Sequence, residues 1–113
     1  MLEEIENWGK IQSFVEDFSG KRPESVDVIL FLIGVQELGQ GVKNFSKEQK
    51  QDLMHIAVCK IFSLGGFYEL THTDEEGWPH YKSIEKVPHR KMLLQEGLIK
   101  EYIVKYFEHN DLI

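Results

Sequence analysis

The sequence predicts a mainly α protein, a four-helix bundle-like single domain with helices over about 2–18, 24–39, 46–64 and 89–109 and a small β-hairpin within 67–85. Three observations predict it. The first is Val26 to Leu38, VDVILFLIGVQEL, where apolar residues point almost all the way round a helical wheel. The second is that the segments around it repeat apolar residues at helical spacing, each with a main apolar side. The third is residues 67–85, where helical spacing gives way to β-forming residues around an acidic turn.

Val26–Leu38 is expected to be the central, buried helix. Val26, Leu30 and Ile33 make one stripe, Phe31, Val35 and Leu38 a second, and Val28 and Leu32 fill a third. The unbroken apolar run Val28 to Val35 is far short of the roughly 20 residues that span a bilayer. A central strand competes for this stretch. The pattern nevertheless continues through Gln36 and Glu37 to Leu38 before Gly39 and Gly41 stop it, which favours a helix. Pro23 or Ser25 can open it.

The helix over 2–18 is amphipathic, with Trp8, Ile11, Val15 and Phe18 on one side, Phe14 beside them and Gly9 as a weak point. SGKRP, Ser19 to Pro23, reads as a turn. Ser46-Lys47-Glu48-Gln49 has the form of a capping box, a hydroxyl followed three residues on by an amide side chain. It opens a helix that Gly65-Gly66 should stop, with Leu53, Met54, Ala57, Val58, Ile61, Phe62 and Leu64 on its apolar face. Asp52, His55 and Cys59 lie along the margin of that face. Pro88 precedes the last helix, whose main stripe is Met92, Ile99, Ile103, Tyr106 and Phe107. Leu93, Leu94, Leu98 and Val104 lie off that stripe.

Between them, a loop Glu75-Glu76-Gly77 with Gly77 in the left-handed position pairs Asp74 with Trp78. It then sets His72 against His80, Leu70 against Lys82 and Tyr68 against Ile84, which gathers Tyr68, Leu70, Trp78, Ile84 and both histidines on one face. A four-residue loop would separate the histidines. Pro79 makes the second strand short or irregular.

A chain of 113 residues with net charge −6 and one cysteine, Cys59, excludes an internal disulfide and a Cys-based zinc site. The start MLEEIENW has no basic segment leading into an apolar one, so no signal peptide is expected and the cytoplasm is. The acidic balance disfavours nucleic acid as a partner. No phosphate loop, nucleophile elbow, HExxH or dinucleotide fingerprint is present, and no cofactor or metal is expected.

Five residues stand out as ligand-binding candidates: Glu37, His55, His72, Trp78 and His80. Glu37 ends the Val26–Leu30–Ile33 stripe, so it either sits buried as a proton carrier or metal ligand, or reaches solvent or a lysine from the last turn. His55 shares a helix side with Asp52 and Cys59, in reach of a metal or proton relay; the plainer reading is a small buried thiol beside a rim histidine. His72 and His80 would hold Zn²⁺ if Glu37 or His55 supplied a third ligand, and otherwise stay solvated while Trp78 anchors the hairpin.

The leading functional expectation is a protein–protein interaction or regulatory module, more a binder than an enzyme, with a protein partner or homo-oligomer and no membrane. It rests on missing catalytic motifs and on Trp8, Leu93, Leu94, Leu98 and Tyr102, more apolar surface than one core needs. A metal- or small-ligand-binding protein built on Glu37, His55, His72 and His80 is second. A winged-helix DNA binder is third, since its hairpin tip, Asp74 to Glu76, would meet phosphates with the wrong sign.

Overall fold

The computed structural model describes residues 2–23, 25–41, 43–87 and 92–113; the helical side chains at 2–6, 18 and 92–95 are outside that description. Its elements run α1 (Leu2–Ser19), α2 (Val26–Leu38), α3 (Lys47–Ser63), β1 (Tyr68–Thr73), β2 (Pro79–Ser83) and α4 (Met92–His109). The chain is therefore mainly α with a two-stranded antiparallel hairpin, as its patterning predicts. Pro88 and the expected first residues of the last helix, 89–91, lie outside the described residues, as do the side chains of Phe18, Met92, Leu93 and Leu94.

Contacts divide the chain into two compact units, Met1–Ile29 with His89–Ile113, and Leu30–Pro88. In the first, α1 packs on α4. Ile11, Val15, Val26, Ile29, Leu98, Ile103, Tyr106 and Phe107 are buried there. Phe14 meets Phe107 edge to face, with ring centres 5.7 Å apart. The Gly20 amide closes α1 by donating to the Glu16 carbonyl, and φ of 81° there is a conformation glycine takes without strain. Arg22 then folds back onto α1, donating to Gln12, Ser13 and Glu16. Trp8 is half-buried with the Lys100 ammonium over its ring at 5.1 Å, and Leu98 is buried. Of the residues expected to be surplus to a core, these two are absorbed.

The second unit holds most of α2, then α3 and the hairpin, with α3 packed against both strands. The capping box forms as written in the sequence: the Gln49 amide donates to Ser46 Oγ at 3.1 Å, and the Ser46 amide to Gln49 Oε1 at 2.9 Å. Leu53, Ile56, Ala57, Cys59, Ile61 and Phe62 of α3 are buried. Gly34 of α2 has no room for a side chain. A Cβ there would collide with the carbonyl of Leu53, so the glycine lets the two backbones touch.

Helix α2 is not buried all round. Val26, Ile29, Leu30, Ile33 and Leu38 are buried, Phe31, Leu32 and Val35 only in part, and Val28 is 44% exposed. The expected Val26–Leu30–Ile33 stripe carries the burial and the Val28 stripe does not. Gly39, with φ of 70°, ends the helix by donating to the Val35 carbonyl. No helix among the described residues is long and apolar enough to cross a membrane.

Candidate functional site: the two faces of the hairpin

The hairpin turn forms as expected. The Asp74 amide donates to the Trp78 carbonyl and the Gly77 amide to the Asp74 carbonyl, with Gly77 at φ of 90°. Asp74 Oδ1 accepts from the amides of Glu76 and Trp78, the side-chain turn at which Asp excels. From outside the hairpin, Gln40 Nε2 donates to the Glu76 carbonyl at 2.6 Å, and Lys43 Nζ to Gln40 Oε1. The segment leaving α2 thereby holds the tip.

Beyond the turn the register departs from expectation. His72 pairs with His80, and Thr73 with Pro79, but Leu70 pairs with Tyr81, Glu69 with Lys82 and Tyr68 with Ser83. The shift falls between Leu70 and His72, so Thr71 is the extra residue of a β-bulge. Because side chains alternate along a strand, one extra residue exchanges the faces of everything beyond it. Tyr68, Leu70, Tyr81 and Ser83 share one face. Glu69, His72, His80 and Lys82 share the other. The expected single face of Tyr68, Leu70, Ile84 and both histidines does not form, and Leu70 and Ile84 are 51% and 55% exposed.

The Tyr81 face looks towards the helices of this unit. Tyr81 is half-buried and its phenol is pushed up to about 12, first by burial and then by the negative charges of Glu37 and of Cys59 when ionised. Glu37 is in turn paired with Lys60, Oε1 to Nζ 3.8 Å, with 21% of its side chain exposed. The carboxylate at the end of the buried stripe thus reaches a lysine. Cys59 is buried, and burial raises its thiol pKa. Its Sγ lies 3.6 Å from Nε2 of the exposed His55. A nucleophilic cysteine needs the opposite shift, and at neutral pH this thiol and phenol both keep their protons. The inner cluster is built for packing.

The opposite face is polar and open. Lys82 lies 3.7 Å from Glu69. The His72 and His80 rings stack, with centres 4.7 Å and planes 2° apart. His80 Nε2 lies 2.8 Å from Asp74 Oδ2, and this hydrogen bond, more than those from the Trp78 and Glu76 amides, holds the Asp74 carboxyl below the usual range. The Thr71 hydroxyl touches both His72 Nδ1 and the His80 carbonyl. Trp78, immediately before β2, is half-buried.

Of the five sequence candidates, then, His72 meets His80, Glu37 meets Lys60 and His55 meets Cys59. Among the described residues no three His, Cys, Asp or Glu side chains come together as a group that could hold a metal ion. Sequence reasoning missed Tyr81, Lys60, Thr71 and Gln40. A bulge leaves no mark in composition, so nothing announced that Tyr81 would share a face with Leu70. Asp74 and Gly77, by contrast, carried a readable turn signal. Compared with known proteins, the chain matches no family, no curated protein and no solved structure.

Proposed function

We propose that this chain is a cytoplasmic protein-interaction module that binds an extended, basic segment of a partner protein along the open edge of its hairpin. The observation that carries this reading is the sheet itself. It has only β1 and β2 among the described residues, so each strand keeps one edge of backbone donors and acceptors without a neighbour. An added strand satisfies such an edge and takes its specificity from alternate side chains. Strand β1 has no proline, and Leu70 stands half-exposed in it.

Charge selects the partner. Residues 67–85 carry five acids against one lysine. A second copy of the chain would bring two acidic hairpins together, whereas a basic strand is attracted to one. The chemistry also favours binding over catalysis, since the thiol and phenol of the inner cluster stay protonated at neutral pH. The same acidic hairpin argues against nucleic acid as partner.

A hexapeptide alternating lysine and valine is the direct probe. It is expected to shift the β1 amide resonances, to bind more weakly as salt rises, and to lose binding to Leu70→Pro, which removes a donor from the outer edge of the strand and blocks the added chain. The free protein is expected to sediment as a monomer. Shifts confined to the helices, or a stable dimer of the chain alone, would contradict the reading.

A further inference from the structure

Given the strand-addition reading, on which this rests, we propose that the docking edge is three residues long, Tyr68 to Leu70. It selects an antiparallel segment reading apolar–basic–apolar, with the basic residue opposite Glu69. In an antiparallel ladder bonded and non-bonded pairs alternate, so every second residue turns its amide and carbonyl away from its partner strand. The Ile84 amide donates to the Phe67 carbonyl at 2.9 Å, which makes Phe67 and Ile84 a bonded pair. Glu69 with Lys82 is then the next bonded pair, and Tyr68 and Leu70 on either side of Glu69 present their backbone groups outward. From the turn, the Asp74 amide donates to the Trp78 carbonyl at 2.9 Å, so His72 with His80 is bonded and Thr73 faces outward.

The outward residues of β1 are therefore Tyr68, Leu70 and Thr73, spaced by two and then by three. A regular strand repeats every second residue, so one in step with Tyr68 and Leu70 is out of step at Thr73. The bulge at Thr71 closes the window on that side. On the other side the Phe67 amide is committed to the Phe62 carbonyl of α3.

Across an added strand, the residue opposite Glu69 shares its face, and the flanking residues share the face of Tyr68 and Leu70. The pair centred on Glu69 is non-bonded, the kind in which side chains lie closest. Leu70 is half-exposed and offers apolar surface to an apolar neighbour. The Glu69 carboxylate is exposed too, and its Lys82 partner, at 3.7 Å, comes from the β2 side. An exposed pair of that kind is weak and leaves the carboxylate open to a second cation. The outer edge of β2 has the opposite character. Lys82 repels a basic segment there, and Pro79, outward-facing opposite Thr73, has no amide to give.

Two capped hexapeptides, one alternating lysine with valine and one alternating glutamate with valine, test the register on the whole chain by hydrogen exchange and titration. With the lysine peptide bound, the Tyr68 and Leu70 amides should gain protection while the Thr73 amide keeps its free rate. Glu69→Gln should weaken the lysine peptide ~2–5-fold. Glu69→Lys should reverse the preference between the two peptides, with the amide spectrum still that of the folded chain. Protection running through Thr73, or a preference indifferent to Glu69→Lys, would overturn the register and leave strand addition standing. No protection of any β1 amide would remove strand addition itself, and the register with it.

Discussion

At the scale of single residues, the strongest constraints fall where a side chain is forbidden or its ionisation is opposed. Gly34 has the Leu53 carbonyl where a Cβ would stand. Gly34→Ala would ordinarily help a helix by ~1 kcal/mol. Here the backbones of α2 and α3 must part, and overpacking of this kind costs ~1–3 kcal/mol. Urea unfolding is expected to show a net loss of stability. Tyr81 gives a pH signature. A phenol raised to about 12 stays neutral in the folded chain while the unfolded one ionises near 10. Its contribution to stability is therefore complete below pH 10 and is lost as pH rises towards 12. Ultraviolet titration should show a late tyrosinate phase that Tyr81→Phe removes, and stability measured across that window should fall less in the variant.

At the scale of elements, legibility followed locality. Helix starts and stops are set by residues three or four apart, so Ser46 with Gln49, Gly20 and Gly39 could be read directly from the chain. Ser46→Ala is expected to cost ~1 kcal/mol, seen as a lower urea midpoint, because the Gln49 amide loses the Ser46 Oγ that accepts from it. The hairpin was half legible for the same reason. Its turn depends on Asp74 and Gly77, which are neighbours in sequence. Its far register depends on the Thr71 bulge, in a sheet whose two strands both pack against α3, a helix distant in sequence from β2. Glu37 shows the same divide: its place at the end of an apolar stripe was visible, but its partner Lys60 comes from another helix. Helix α2 is less buried than its composition predicts, because apolar content reports what a helix can bury, not what surrounds Val28.

At the scale of the whole molecule, a chain of net charge −6 spends its apolar residues on helix faces and leaves a small acidic sheet with open edges. The bulge gives that sheet two unlike faces. It turns Tyr81 inward, where Glu37 and Cys59 act on it, and turns His72 and His80 outward beside Asp74. The strand-addition reading depends on this sorting of faces. The pattern of through-space proton contacts across the hairpin, measured by NMR, tests it most directly. The account predicts contacts of Leu70 with Tyr81 and of His72 with His80, with Glu69 opposite Lys82. Contacts of Leu70 with Lys82 and Tyr68 with Ile84, the register of a hairpin without a bulge, would contradict it.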